Sequence, residues 1–318
     1  MLSSNEQIPL ESVPCYHCGA TESAPFIEAE DDLTGKPGRF TFVRCDACEL
    51  VYQSPRVRME GIKDYYDSDY IAHRKETRWG PLRPLYDWAM DKHDREKARL
   101  VARYAKLSPD AAVLDVGCAV GSFLQKLRKL HGVRASGVDF IDLSGTPGMA
   151  GIDFHCGLFY EAGLPAERFD LVTMWHFLEH DYDPLRSLAE ARRVLKPDGH
   201  LLIEVPRLDS VSFRLFHERW PGLQAPQHTI LFDKKKLLEF VTDSGFEVVD
   251  HLPYGAFPAY FYLFTGVAFK VLKGKGLNLR RAIYPYFVGQ LLSAPVMMFE
   301  KRLNLAMQTV VCRKVRAH

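Results

Sequence analysis

Short apolar runs alternate with helical patterns over residues 111–252, and this alternation is the clearest structural signal in the chain. The runs have the length of strands, and the stretches between them place apolar residues on one helical face. Strands that alternate with helices predict an α/β fold in which a parallel sheet is covered by helices on both faces. The predicted strands are Ala112–Val116, Ala135–Phe140, Phe169–Met174, His200–Val205 and Phe246–His251.

The helices between these strands end at recognisable signals. One helical face runs from Phe123 to Leu130 behind the first strand. A second helix continues through Leu195, and the sequence Lys-Pro-Asp-Gly at 196–199 stops it. A third covers Lys234–Ser244 and is followed by glycine, a common residue just after a helix end.

The sequence pattern of the segments before residue 111 differs from that of the core and divides them into two parts. Residues 1–57 are loop-rich and contain two close pairs of cysteines. Residues 58–110 have a helical pattern and predict a linker or cap. We therefore expect a small N-terminal module, a helical segment and an α/β core over 111–252.

The composition is that of a globular protein: 47% of the 318 residues are hydrophobic and 25% are charged. This balance excludes disordered, collagen-like and coiled-coil chains. The net charge of +1 lacks the basic excess of proteins that coat nucleic acid. The total hides a division, because the residues from 252 onward carry ten Lys or Arg and one acid, a charge of +9. The preceding residues have 31 basic and 39 acidic side chains, a charge of −8.

Residues 1–10 have no apolar core that could serve as a secretory signal. No run of about 20 apolar residues is free of proline and charge, so a plain spanning helix is not expected. We therefore expect a cytoplasmic protein, with peripheral contact to the inner face of a membrane as the alternative.

Four cysteines form two C-x2-C knuckles, Cys15 with Cys18 and Cys45 with Cys48. Each knuckle supplies two thiolates from one tight turn, and two knuckles complete the tetrahedral coordination of a structural Zn2+. The alternative is four reduced thiols in a core. His17 lies inside the first knuckle, and we expect it to be a bystander.

A strand, a glycine-containing loop and a helix follow one another around Gly117 and Gly121. Glycines in such a loop let the backbone approach a ligand closely, and the helix N-terminus adds unpaired N–H groups. Asp115 lies in the strand, and Asp139 ends the next strand, where an acid can bind both ribose hydroxyls of a nucleoside. A simple tight turn and a dinucleotide-binding dehydrogenase are the alternatives, but the loop lacks G-x-G-x-x-G.

These segments resemble the motifs of class I S-adenosylmethionine (SAM)-dependent methyltransferases. The matching stretches are Leu114–Gly121, Asp139, Phe169–Val172, Trp175–His180 and Arg193–Leu201. The resemblance implies a Rossmann-like seven-stranded sheet that binds SAM. The cofactor-binding residues that it implies are Asp115, Gly117, Cys118, Ala119, Gly121, Asp139, Phe140, Leu158, Trp175 and His176.

The chain departs from the family pattern at two places. Ala119 stands where glycine is commoner, and Gly157–Phe159 replaces the acid that often meets the adenine amine. Upstream, the knuckles, Leu50–Pro55 and the tyrosines at 65, 66 and 70 look like the zinc-ribbon-like N-terminal modules of bacterial sugar- and lipid-pathway methyltransferases.

The family's sheet usually ends with an antiparallel seventh strand, and Ala306–Lys314 fits this strand within residues 304–318. Residues 253–303 then become an apolar and basic helical insertion. Three interpretations remain open: helices that cover the active site or form a homodimer core, a surface that binds an anionic membrane, and a spanning hairpin. Prolines 258, 285 and 295 disfavour the last.

Methyl transfer to oxygen or carbon needs a group that accepts the acceptor's proton, and His176, His180 and His228 are the candidate bases. The resemblance implies an enzyme that methylates a small-molecule, sugar or lipid-linked intermediate. The alternatives are an RNA methyltransferase and a non-catalytic binding protein. The acidic zinc and core regions disfavour nucleic acid as a partner.

Overall fold

The structure is a computed structural model that describes residues 8–66, 83–277 and 279–315, so Tyr70 lies outside the described residues. Its centre is a seven-stranded sheet, as the resemblance implies. The strands are β6 (Ala112–Val116), β7 (Arg134–Asp139), β8 (Asp153–Cys156), β9 (Phe169–Trp175), β10 (Leu195–Pro206), β12 (Phe246–Leu252) and β13 (Met307–Lys314). Their order across the sheet is β12-β13-β10-β9-β6-β7-β8.

Helices cover both faces of this sheet because neighbouring side chains of each buried strand point to opposite faces. The helices are α1 (Met59–Ile62), α2 (Arg83–Val101), α3 (Ser122–His131), α4 (Pro184–Val194), α5 (Val211–Phe216), α6 (Lys234–Asp243), α7 (Ala259–Leu272) and α8 (Leu279–Met297). Leu114 packs with apolar residues of α4 and α6, whereas Val113 packs with those of α2 and α3. The predicted two-sided α/β architecture is confirmed.

The C-terminal strand β13 pairs antiparallel with β10 on one side and β12 on the other, as predicted. The insertion before it contains α7 and α8, and Pro285 and Pro295 lie inside α8. Within the described residues, no helix combines the length and apolar character needed to cross a bilayer.

The N-terminal module is built into the rest of the fold. Its strands are β1 (Leu10–Glu11), β2 (Ser23–Ala29), β3 (Phe40–Cys45), β4 (Val51–Gln53) and β5 (Arg56–Val57). The two-residue strand β11 (Ile230–Leu231) extends their main sheet by pairing with β4. Buried Leu50 and Tyr52 also belong to the same apolar cluster as the central sheet. The N-terminal module and the central sheet therefore share one apolar cluster.

Two local expectations need correction. The helix expected to run through Leu195 ends at Val194, because Leu195 already pairs with Phe169 of β9. A register shift between Leu195 and His200 then accommodates the Lys-Pro-Asp-Gly sequence inside β10. The helical pattern over 58–110 is also interrupted, since α2 ends at Val101 and only turns follow it up to the first sheet strand.

Candidate active site

A cavity of about 580 Å³ lies at the carboxyl ends of the parallel strands, which is where open α/β sheets bind ligands. Its floor is the glycine loop and the ends of β7 and β9. Its walls come from the N-terminal module, α2, the loop around residues 218–228 and the α7–α8 insertion. The insertion supplies mainly aromatic groups, which are Phe257, Phe261, Tyr262, Phe264, Phe269, Tyr286 and Phe287.

The glycine loop has a backbone shape that side chains resist. Gly117 and Gly121 both have φ of +72°, the left-handed region that favours glycine. A Cβ on Gly121 would lie 2.8 Å from the carbonyl oxygen of Gly148. Gly121 also precedes the first turn of α3, so unpaired N–H groups of that turn lie beside the cavity. Ala119 has φ of +46° and adopts this conformation without the freedom of glycine.

Two acids flank the loop. Asp139 is 9% exposed, and its Oδ2 accepts the Ala119 N–H at 2.9 Å while Oδ1 accepts the Ile141 N–H at 3.0 Å. These bonds fix the orientation of its carboxylate at the cavity floor. Asp115 is buried, and the Thr173 hydroxyl donates to its Oδ1 at 2.6 Å. Burial raises the pKa of Asp115 to about 7, although Lys97 opposes the rise.

The structure brings nearly all of the cofactor-binding candidates to the lining of this cavity. The candidates that line it are Asp115, Gly117, Cys118, Ala119, Asp139, Phe140, Leu158, Trp175 and His176. Gly121 does not line the cavity but sets the start of α3. Leu158 lies where the family often has an acid, so the cavity wall is apolar at this point.

His176 lies between two buried carboxylates. Its Nδ1 is 3.4 Å from Glu179 Oε1, and its Nε2 is 3.3 Å from Glu204 Oε1. Burial lowers the pKa of His176, but the two carboxylates outweigh it and raise the pKa to about 9. An imidazole held in its protonated form is a poor proton acceptor, so His176 is the least suited of the three candidate bases.

His180 and His228 are different, because burial lowers the pKa of both imidazoles and keeps them neutral. Their ring centroids are 4.4 Å apart, and both rings line the cavity. His180 Nδ1 lies 2.8 Å from the Tyr66 hydroxyl and 3.1 Å from the Gln227 carbonyl oxygen. His228 Nδ1 lies 2.8 Å from the Gly222 carbonyl oxygen, a contact that also anchors its loop.

A family model described as a methyltransferase domain matches residues 90–251, just over half of the chain. The chain belongs to the class I SAM-dependent methyltransferases.

Similar proteins agree with this assignment over part of their length. The methyltransferase is 30% identical over 168 residues to a ubiquinone biosynthesis O-methyltransferase of Hahella chejuensis, which covers 49% of this chain and 65% of that protein. It is 34% identical over 96 residues to the Coxiella burnetii protein of the same name, which covers 28% of this chain and 41% of that protein. The match thus spans less than two thirds of either relative.

Among solved structures, the methyltransferase is similar to a Burkholderia thailandensis 1,6-didemethyltoxoflavin-N1-methyltransferase. The TM-score is 0.47 at 16% identity, and the match covers 92% of this chain and 100% of that one.

The four cysteines of the methyltransferase converge at the tips of the N-terminal module. Their sulfur atoms lie within 4.8 Å of one another, and the Cys15–Cys48 and Cys18–Cys45 pairs are 3.5 Å apart. Four thiolates around zinc lie about 3.8 Å apart, given Zn–S bonds of about 2.3 Å, so the cluster fits a tetrahedral ion. His17 points away and contacts Asp243 at 2.8 Å.

Sequence reasoning missed three contributors to the cavity of the methyltransferase. Lys97 of α2 lies 5.0 Å from the centre of the Trp175 ring. Tyr66 contacts both Phe140 and His180 across the cavity mouth. Glu204 joins His176 to the insertion, and an acid inside the apolar run Leu201–Val205 was a signal for it.

Proposed function

We propose that this methyltransferase transfers the methyl group of SAM to an oxygen of a small acceptor that carries an apolar, lipid-like part. One observation carries the proposal: a single cavity joins the glycine loop, two neutral histidines and the aromatic insertion. The name of the ubiquinone-pathway relatives agrees with an oxygen acceptor of this kind.

Bound SAM supplies an electrophilic methyl group on a sulfonium. Asp139 would hold the ribose hydroxyls, and Asp115 lies at the strand end where a carboxylate would face the cationic amine. Leu158 and Phe140 would pack against the adenine. Because Trp175 and Phe257 line the same space, they would exclude water from the reacting atoms.

The acceptor's hydroxyl would lie at His180 and His228. As its oxygen forms a bond to the methyl carbon, the carbon–sulfur bond breaks and its electron pair stays on sulfur. The proton of the hydroxyl passes to one of the two neutral imidazoles. The apolar part of the acceptor would extend between α7 and α8, where the cavity is lined by phenylalanines and tyrosines.

The proposal is tested first by calorimetric titration with SAM and then by transfer of a labelled methyl group. The acceptors to compare are dihydroxybenzoates with and without a short isoprenoid tail. We expect tight SAM binding and faster transfer to the tailed acceptor. SAM binding without transfer to either would overturn the acceptor class, and absence of SAM binding would overturn the function.

We also propose that Cys15, Cys18, Cys45 and Cys48 bind a structural Zn2+. Burial raises the pKa of Cys45, but the N–H groups of residues 47 and 48 and the neighbouring thiols outweigh it and lower that pKa to about 7. Burial raises the pKa of Cys15 and Cys48, so the fit to zinc rests on the geometry of the four sulfur atoms. All four positions are filled by protein, so the ion would stabilise the module and leave no site for substrate.

The outer face of the α7–α8 hairpin fits an anionic bilayer, and we propose that it docks there. Leu291 and Leu292 are each 77% exposed, and Met298 is 82% exposed. The one acid of residues 253–303, Glu300, is turned inward to accept the Ala259 N–H. The exposed basic side chains described within residues 253–303 are Lys270, Lys273, Lys275, Lys301 and Arg302.

Flotation with phosphatidylglycerol vesicles tests this surface. We expect salt-sensitive binding that Leu291→Asp abolishes, because the charge enters the apolar face. Leu130→Asp is the matched control, since Leu130 is 53% exposed on α3, outside the hairpin. Equal binding by both variants, or a dimer that Leu291→Asp dissociates, would contradict the membrane proposal.

A further inference from the structure

His180 and His228 line the cavity, and the buried Glu179 lies beside them in a way that the methyl-transfer chemistry alone does not explain. Each offers one ligand atom, and these atoms lie within 4.8 Å of one another. Two of the residues lie in the turn after β9, and the third is 48 positions downstream of His180. The fold has therefore brought together a carboxylate and two imidazoles from separate segments.

The carboxylate of Glu179 is buried without the hydrogen bonds that such a group normally makes. Its side chain is 1% exposed, and neither side-chain oxygen has a hydrogen-bond partner among the described residues. Its contact in this region is the His176 ring at 3.4 Å, which Glu204 also approaches. Glu204 is also stabilised by the Ala256 and Phe257 N–H groups and by the charge of Lys97, so Glu179 is the less compensated of the two carboxylates. Since a buried charge needs compensation, the site favours an additional cation.

Both histidines are oriented as metal ligands usually are. A ligating imidazole commonly donates its other N–H to a carbonyl or carboxylate, which fixes its tautomer. Nδ1 of His228 contacts the Gly222 carbonyl oxygen at 2.8 Å. Nδ1 of His180 contacts the Gln227 carbonyl oxygen at 3.1 Å and the Tyr66 hydroxyl, which can accept as well, at 2.8 Å. If each Nδ1 carries the proton, each Nε2 retains a lone pair.

The surrounding backbone holds the three ligands in place. The Thr229 N–H donates to the Glu179 carbonyl oxygen at 2.7 Å, and the Thr229 hydroxyl donates to the Asp181 carbonyl oxygen at 2.9 Å. The Gln227 amide donates to the Tyr65 carbonyl oxygen at 3.1 Å. The two Thr229 bonds tie the loop that carries His228 to the turn that carries Glu179, and the Gln227 bond ties the same loop to the N-terminal segment.

We propose that Glu179, His180 and His228 bind a divalent first-row transition-metal ion with open positions facing the cavity. Two nitrogens and one carboxylate suit Zn2+, Mn2+, Fe2+ or Co2+ and disfavour Mg2+ and Ca2+, which take oxygen ligands. The role of the ion rests on the proposed methyl transfer to oxygen but replaces its proton-accepting histidine: the ion would bind the acceptor's oxygen and lower the pKa of that hydroxyl. The histidines would then hold the ion, and the proton would leave to solvent.

Cobalt binding to the full chain tests the site independently of methyl transfer. The chain is stripped with chelator, titrated with Co2+ and desalted, and the bound cobalt is counted by elemental analysis. The four cysteines report separately through a sulfur-to-cobalt charge-transfer band. We expect the wild-type chain to bind two equivalents, of which only one produces this band.

Glu179→Gln and His228→Ala should each bind one equivalent and keep the full charge-transfer band. His131→Ala is the control and should bind two, because His131 ends α3 and does not line the cavity. Glu179→Gln changes the shape of the side chain least, so it stays informative if His228→Ala fails to fold. A wild-type chain whose bound cobalt amounts to one equivalent with the full charge-transfer band, or a Glu179→Gln variant that keeps the equivalent without the band, would overturn the proposal. SAM titration of the same samples tests the proposed function separately.

Discussion

The two ends of the cavity are built in different ways. The floor around Gly117, Gly121 and Asp139 comes from one continuous β-α-β segment, whose backbone bonds fix every group. The opposite end combines the N-terminal module, α2 and the insertion, which are distant in the sequence. For example, the Leu277 N–H of the insertion donates to the Leu33 carbonyl oxygen at 2.9 Å. Glu204 contacts both ends, because its carboxylate lies beside His176 and accepts N–H groups of the insertion.

This difference suggests that the floor binds the cofactor and the opposite end binds the acceptor. A cofactor common to a whole family can be held by a motif of local geometry, whereas the acceptor end can change as separate segments are added. If the two ends are energetically separable, a substitution at one end should leave the other end intact.

Glu204→Gln should loosen the insertion and leave the cofactor end intact. The carboxylate accepts the Ala256 and Phe257 N–H groups at 2.6 and 3.1 Å and contacts His176. Because His176 would lose one of its two carboxylate partners and two backbone N–H groups would lose a charged acceptor, we expect a loss of about 3 kcal/mol in unfolding free energy, measured by urea denaturation. We also expect faster proteolysis within 253–303.

The control is Glu247→Gln, which breaks an ion pair with Arg313 on the same sheet. Both side chains are more than half exposed, so its cost should stay below about 1 kcal/mol. If Glu204→Gln also costs no more than this, the carboxylate does not join the two ends.

Asp139→Asn should weaken SAM binding by about a hundredfold, because charge-assisted bonds to two ribose hydroxyls would become neutral ones. Calorimetry measures the change. Asp142→Asn is the matched control, since Asp142 is an exposed acid that bonds only within its own turn in the described structure. Equal affinities for the two variants would mean that Asp139 does not hold the ribose.

Gly121→Ala should cost about 2 kcal/mol in unfolding free energy, because the new Cβ would meet a carbonyl oxygen at a positive φ. Gly145→Ala is the control: its Cβ would have no atom within 4 Å, and its φ is ordinary. We expect a change of no more than about 0.5 kcal/mol there. Similar losses at both positions would remove the argument for a strained loop.

SAM affinity should rise about tenfold from about pH 6 to about pH 8, because Asp115 must be ionised to attract the cationic amine. Burial raises the pKa of Asp115 to about 7, so this carboxyl is largely protonated at the lower pH. The folding stability of the unliganded chain should change with pH in the opposite direction. Because the pKa of Asp115 is raised in the folded chain, its contribution to stability is greatest at low pH and is lost as the pH rises through about 7. Asp115→Asn should flatten the binding profile; an unchanged slope would contradict this role.

The sequence located the strands and the glycine loop of the cavity floor because their signals are local. Short apolar runs defined the strands, and Gly117, Gly121 and Asp139 lie next to the strand ends that position them. The acceptor end depends on pairings that leave no local pattern. Ile230 joins the N-terminal sheet through a strand of two residues, and its partner Tyr52 is far upstream. The packing of Lys97 against Trp175 likewise follows only from the assembled fold.

We propose that one cavity holds SAM at its floor and the acceptor beneath the insertion. A crystal structure with S-adenosylhomocysteine and a tailed phenol would show both ligands together. We expect the ribose hydroxyls on Asp139, the sulfur atom directed at His180 and His228, and the tail between α7 and α8. A nucleoside bound elsewhere, or a sulfur atom that faces away from both histidines, would contradict it.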